Sequence, residues 1–190
     1  LDALTDIRNI ARAYKGELDI IFYYAGHGLQ DDATRAPHLM PVDADGTRPD
    51  HCLPTSKLYS ELASTDARSI TVFLDACFSG SQRGEGMISK ARGVRRRVRS
   101  DAPQGRMVVF SAASGDETAY PYREKGHGLF TYFLLKKLQE SRGELTLGEL
   151  SDYISENVSR QSTVSNRRSQ TPTASASTAI GSEWRTRTLK

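Results

Sequence analysis

Three short runs of β-branched and aromatic residues constrain what this chain can fold into: Asp19-Ile-Ile-Phe-Tyr-Tyr24, Ser69-Ile-Thr-Val-Phe-Leu-Asp75 and Met107-Val-Val-Phe-Ser111. Continuous apolar runs of this length read as strands covered on both faces. Helical patterns lie between and around them. Residues 2–14 place Leu4, Ile7, Ala11 and Tyr14 at helical spacing with polar residues between. Leu58 and Leu62, with Tyr59 and Ala63, mark a short helix for which Thr55 or Ser56 is the expected N-cap. Residues 129–140 carry Phe130, Phe133, Leu134 and Leu138, and Thr146-Leu-Gly-Glu149 has capping-box spacing ahead of Leu150, Ile154 and Val158. Residues 29–54 and the Ser/Thr-rich stretch 159–178 read as loops, the second leading to a last extended piece over 178–184. Strands alternating with helices argue for an α/β fold with a mostly parallel sheet.

The 190 residues, 37% of them apolar, are enough for one domain with a core. The longest uninterrupted apolar stretch, Ile20–Ala25, has six residues, far short of the ~20 that a helix needs to cross a bilayer. The chain opens on Leu1 rather than Met, so its N-terminus leaves the compartment unassigned. Cys52 and Cys77 cannot build a disulfide framework, and no Cys/His spacing suggests zinc. A net charge of +3 argues against a polyelectrolyte binder, but between Arg83 and Arg106 eight basic residues face Glu85 and Asp101 alone. This segment, with Gly and Pro and little apolar periodicity, reads as an exposed loop. Nucleic-acid binding is the weaker account of it, because no aromatic platform accompanies the charge.

In open parallel sheets, functional groups gather beyond the carboxyl ends of the strands. The first run continues into Ala25-Gly-His27-Gly28 and the second into Asp75-Ala-Cys77-Phe-Ser-Gly80, so each strand end presents a reactive side chain among glycines. His27 and Cys77 are 50 residues apart, enough for a crossover to return the chain to a neighbouring strand. A Cys-His dyad follows: the imidazole takes the thiol proton and returns it to a leaving amine, which is the chemistry of acyl transfer. The glycines free backbone N–H groups for an oxyanion. Taken singly, each residue has a plainer account as a small buried thiol or a structural imidazole.

The strand-Gly-His-Gly and strand-Asp-Ala-Cys-x-Ser-Gly pair resembles the caspase-like clan of cysteine peptidases, and most of all its metacaspase and bacterial caspase-homologue branch. The resemblance continues through Ser111-Ala-Ala-Ser-Gly-Asp-Glu-Thr118 and Gly126-His-Gly-Leu-Phe-Thr-Tyr-Phe-Leu-Leu135, and covers about residues 4–180. It implies a three-layer α/β sandwich with a mostly parallel central sheet between helices. A large portion over 1–82 would hold the His and Cys, a basic linker would span 83–106, and a small portion 107–190. It further implies Cys77 as nucleophile and His27 as general base and acid. The backbone N–H groups of Gly28 and Cys77 would form the oxyanion hole. Asp75 takes the place of the acidic residue of the primary specificity pocket, which implies a peptide or protein substrate with Arg or Lys at the scissile position; Ala25, Ser111, Asp116 and Tyr120 fall at substrate-binding positions. An enzyme of that specificity would find cleavage sites of its own at Lys90, Arg92, Arg95, Arg96, Arg97 and Arg99. No cofactor is needed for the chemistry.

Two departures carry expectations. Ala25 stands where metacaspases often have Ser, removing one pocket hydroxyl. The family's first strand and helix have no counterpart before Leu4, so the 20–24 strand is expected either to show an open edge or to be covered by another segment. The alternative function is a catalytically inactive caspase-fold scaffold. His127, in a second Gly-His-Gly, competes for the role of base, but it precedes a helix and reads as structural. Cys52 reads as a loop or helix-start residue away from the dyad. Asp31, Asp32, Asp43, Asp45 and Asp50 raise calcium activation, which some metacaspases require, against the ordinary account of Asp/Gly turns; they do not form an EF-hand pattern.

Overall fold

The computed structural model describes residues 2–44, 48–78, 101–115 and 117–189. Its elements run α1 (Asp2–Ala13), β1 (Asp19–Gln30), β2 (Pro37–Leu39), a 3-10 turn at Pro49–His51, β3 (Leu53–Pro54), α2 (Thr55–Ala63), β4 (Ser69–Cys77) and β5 (Met107–Ser111). Then come β6 (Pro121–Tyr122), β7 (His127–Gly128), α3 (Leu129–Ser141), α4 (Leu147–Asn166), β8 (Thr173–Ala176) and a final 3-10 segment, Gly181–Thr186. One six-stranded sheet has the order β3-β2-β1-β4-β5-β8, and β6 and β7 pair separately. The long central strands β1, β4 and β5 are parallel; β2, β3 and β8 are antiparallel additions at the two edges.

Alternation along β4 and β5 divides the core into two layers. Ile70, Val72, Leu74, Met107 and Val109 meet Leu4 of α1 and Leu58 and Leu62 of α2 on one face. Phe73, Cys77, Val108 and Phe110 meet Leu129, Phe130, Leu150, Ile154 and Val158 of α3 and α4 on the other. β4 is buried on both faces from Ile70 to Cys77, as its apolar run predicts. α4 opens on the predicted capping box: the Thr146 hydroxyl accepts from the Glu149 N–H, and the Glu149 carboxylate accepts from the Thr146 N–H.

Four expectations need correction. β1 is not covered on both faces: Ile21 is 56% and Tyr23 46% exposed, because α3 and α4 lie over β4 and β5. β1 pairs with β4 over Asp19–His27 and with β2 only over Gly28–Gln30, so among the described residues no strand lines its outer edge before Gly28. The 29–54 region is not simply a loop, since its Pro37–Leu39 and Leu53–Pro54 segments extend the sheet. Thr55 does not cap α2; Pro54 is the N-cap, and the Thr55 hydroxyl goes instead to Asp101 at 2.5 Å. Finally, the 159–178 stretch is not a loop: α4 continues to Asn166 because Ser162, fully buried, extends the stripe of Ile154 and Val158, and β8 forms earlier than the predicted 178–184 piece. There the small side chains of Thr173–Ala176 complete the open hydrogen-bonding edge of β5.

Candidate active site

β1 and β4 are paired without a break from Asp19↔Ser69 to His27↔Cys77. In-register residues of neighbouring strands share a face, so Tyr23, Ala25 and His27 stand beside Phe73, Asp75 and Cys77 on the α3–α4 side. The 50-residue spacing is thus one register pair on strands ~4.8 Å apart. The two partners differ in access: His27 is exposed, whereas Cys77 is 6% exposed under α3 and the segment that follows β5.

The part of β1 that carries His27 is held by Tyr24, whose single hydroxyl proton lies between the carbonyls of His27 (2.7 Å) and Met40 (2.8 Å), while Met40 N–H donates to the His27 carbonyl. Gly26 permits this, since a Cβ there would lie 2.6 Å from the Tyr24 hydroxyl. A Cβ at Gly28 would lie 2.5 Å from the Phe78 ring and 2.7 Å from the Cys77 carbonyl. Both glycines flanking His27 are therefore required by space.

The Cys77 sulfur meets the backbone of Ala119 on both sides: Ala119 N–H donates to Sγ at 2.9 Å, and the thiol donates to the Ala119 carbonyl at 3.3 Å. That segment is anchored by residues that join α4 to β8. Gln170, fully buried between them, accepts from Tyr120 N–H (2.8 Å) and donates to the Ala112 carbonyl (2.9 Å), and Glu117 accepts from Thr171 N–H and its hydroxyl. Nothing in the sequence separates Gln170 from its polar neighbours; its role depends on backbone groups that it meets 50 and 58 residues away.

Asp75 is 1% exposed. Its Oδ2 accepts from the Thr131 hydroxyl of α3 at 2.6 Å, and that oxygen in turn lies 2.7 Å from the Tyr23 hydroxyl. Gly128, the N-cap of α3, passes so close that a Cβ would stand 3.2 Å from Asp75 Cγ and closer still to Oδ2. Tyr23, Thr131 and Gly128 bear no local mark of a site residue in the sequence, since none differs from ordinary strand or helix-start residues.

The remaining candidates are placed as follows. Ala25 is exposed and in register with Asp75. Ser111 ends β5 opposite Leu74. Tyr120 packs half-buried against the α3–α4 core, and Tyr122 sits edge-on to Tyr132 at 5.0 Å. Asp116, Lys90, Arg92, Arg95, Arg96, Arg97 and Arg99 lie outside the described residues, as does Asp45. His127 is exposed in β7, paired with Tyr122. Cys52 is buried next to β3, three strands from β4, with its thiol directed at the Arg48 carbonyl. Asp31 accepts from Thr34 and Ala33, chiefly the Thr34 hydroxyl, which holds its carboxyl below the usual range; Asp50 is lowered by its hydrogen bond from Arg48. Among the described residues, no group of three His, Cys, Asp or Glu is arranged to hold a metal, and no helix is long and apolar enough to cross a membrane.

A family model described as the caspase domain matches residues 2–181. No curated protein matches the sequence. Among solved structures, caspase-1 from Spodoptera frugiperda superposes with a TM-score of 0.58 at 13% identity, covering 93% of this chain and 68% of that one. A protein from Geobacter sulfurreducens superposes with a TM-score of 0.57 at 16% identity, covering 98% of this chain and 76% of the other. At these identities the likeness is one of fold.

Proposed function

Because this chain belongs to the caspase-domain family and so has a cysteine-peptidase fold, we propose that it hydrolyses peptide bonds after Arg or Lys, with Cys77 as nucleophile and His27 as general base and acid. The observation that carries this reading is the register pairing of His27 with Cys77 on one face of adjacent parallel strands. His27 takes the Cys77 thiol proton as the sulfur attacks the scissile carbonyl. Backbone N–H groups of Gly28 and Cys77 receive the developing oxyanion. The C–N bond breaks as the imidazolium returns the proton to the leaving amine, giving a thioester. His27 then deprotonates a water that attacks the thioester, releasing the acid and restoring the thiol. None of these bond changes uses a metal or cofactor.

The basic preference rests on Asp75, a buried carboxylate in register with Ala25 beside the dyad. A buried charge is best matched by an opposite one, and a guanidinium or ammonium supplies it. An anion near the sulfur also opposes thiolate formation, so a substrate cation that neutralises Asp75 would favour the nucleophile at the moment it is needed. Asp116, Ser111 and Tyr120 complete the substrate-binding set, and the basic residues Lys90–Arg99 are the proposed self-cleavage sites.

One observation favours a second reading, a scaffold that binds without cutting: Cys77 is 6% exposed and its sulfur is hydrogen-bonded by Ala119, which must leave before a carbonyl carbon can approach. Reporter peptides bearing Arg, Lys or Asp at the scissile position, offered to the parent chain, Cys77→Ala and Asp75→Ala, decide between the two. Turnover of Arg and Lys peptides that disappears in Cys77→Ala and falls sharply in Asp75→Ala is expected. Absence of Cys77-dependent turnover would leave the scaffold, and preference for Asp would overturn the basic pocket.

A further inference from the structure

At the end of the sheet away from the dyad, a cavity of about 570 Å³ opens between the end of α1 and the turn that leads from α2 into β4. It adjoins the amino ends of β1 and β4, whereas His27 and Cys77 stand at their carboxyl ends, roughly 25 Å away along the strands. One wall is cationic: Arg8 and Arg12, four residues apart on one face of α1, and Lys15 just past the helix end. Arg8 is tied to Glu61 at 2.9 Å, but Arg12 and Lys15 are exposed and make no ion pair among the described residues. A cation at a helix end ordinarily serves the open carbonyls there. At α1 these are already taken, since the carbonyls of Ile10, Ala11, Arg12 and Tyr14 accept from the N–H groups of Tyr14, Gly16, Lys15 and Glu17. The charge of Arg12 and Lys15 is left for whatever enters the cavity.

The opposite wall, Ser64, Thr65 and Asp66, is made of acceptors. The Ser64 hydroxyl gives its proton to the Glu61 carbonyl (2.7 Å) and the Thr65 hydroxyl gives its own to the Leu62 carbonyl (2.6 Å), so each has only lone pairs to offer. Asp66 adds a carboxylate. The two walls are locked together: Gly16, at φ +78°, lies so close to Asp66 that a Cβ would stand 2.6 Å from the Asp66 carbonyl oxygen. A ligand that satisfies both walls needs an anionic end for Arg12 and Lys15 and hydroxyl donors for residues 64–66. Phosphate answers the first requirement, as guanidinium and ammonium groups both bind it. A bare anion fails the second, because it brings no donor and Asp66 repels it. We propose that this cavity is a binding site for a small hydroxylated phosphate ester, a sugar phosphate either free or within a nucleotide, for which a cavity of this volume is of ordinary size. The site stands apart from the peptidase reading and does not depend on it.

Calorimetric titration of the full chain with ribose phosphate, AMP, ribose and inorganic phosphate tests this. At least one of the two esters should bind about tenfold or more tightly than either ribose or inorganic phosphate. Equal affinities for the two esters would assign the sugar phosphate alone, and tighter AMP binding would assign the nucleotide. Arg12→Gln and Lys15→Gln, at exposed positions, should each weaken the ester about tenfold. Asp66→Asn, which suits the left-handed backbone there (φ 53°), should raise the affinity for inorganic phosphate and so narrow its gap from the ester. Cys77→Ala should leave every affinity unchanged. No binding of either ester by about 10 mM, equal affinity for ester and inorganic phosphate in the parent, or an ester affinity unmoved by Arg12→Gln and Lys15→Gln would each overturn the proposal. Loss of ester binding in Cys77→Ala would put the ligand at the dyad and overturn it as well.

Discussion

Replacing Gly128 by Ala tests the contact on which the specificity argument turns. Gly128 has φ −68° and ψ 152°, which any residue adopts, so the substitution strains no backbone and acts only through space. The new Cβ would lie 3.2 Å from Asp75 Cγ and nearer to Oδ2, and ordinary van der Waals contact requires a retreat of roughly 1 Å. The Thr131 bond to Oδ2 is 2.6 Å long; such a retreat stretches it beyond useful hydrogen-bond length. Overpacking typically costs about 1–3 kcal/mol, and a hydrogen bond to a charged group contributes about 1.5–3 kcal/mol. Because relaxation shares the two, a net loss of about 2–4 kcal/mol is expected. In a chain of this length that lowers Tm by roughly 4–16 °C, measurable by circular dichroism. The clash depends on the carboxylate, so in an Asp75→Ala background the same Gly128→Ala change should destabilise by less than about 0.5 kcal/mol. With Arg reporter peptides, a misplacement of this size should lower kcat/KM by about 100-fold. Equal destabilisation in both backgrounds, or a stable Gly128→Ala protein, would refute the reasoning.

Gln170→Leu leaves the Tyr120 N–H and the Ala112 carbonyl without their buried partner; a loss of about 2–4 kcal/mol in urea unfolding is expected. Iodoacetamide should also modify Cys77 faster, because Ala119 precedes the released Tyr120; an unchanged alkylation rate would show that Gln170 does not hold the peptide on the sulfur. Asp19 is held below its ordinary pKa of 3.8, chiefly by its hydrogen bond from Arg68, with Ser69 assisting. Its stabilisation is therefore fully present above pH 3.8 and is lost as pH falls through the lowered folded value. As an exposed pair it is worth about 0.2–1 kcal/mol. Asp19→Asn should show that deficit in urea at neutral pH and none in strong acid; a deficit that grows on acidification would be the wrong sign.

Local pattern decided much of this protein. β4 could be read from Ser69–Asp75 because a strand flanked on both sides and covered on both faces puts nearly every side chain in the core, and the run Ile70–Leu74, with Thr71 as its one polar residue, records that fact directly. The His27 and Cys77 pair was equally open to reading, since a reactive side chain among glycines just past each run leaves a local mark, and a 50-residue interval admits one crossover. The capping box and the α3 stripe depend only on neighbours within one or two helical turns.

Tertiary structure decided the rest, because the determining partners lie far along the chain and leave no periodic trace. The Ile21 and Tyr23 side of β1 looks as apolar as β4, yet it stays open because α3 settles over β4 and β5. Thr173–Ala176 becomes a strand because β5 offers it an unpaired edge, not because its small residues prefer extended backbone. The peptide on the Cys77 sulfur and the chain from Tyr23 through Thr131 to Asp75 join residues 42, 108 and 56 positions apart. A sequence picks out the candidate thiol and carboxylate by their chemistry; what touches their atoms, and so how they are aimed and covered, depends on how helices pack on a finished sheet.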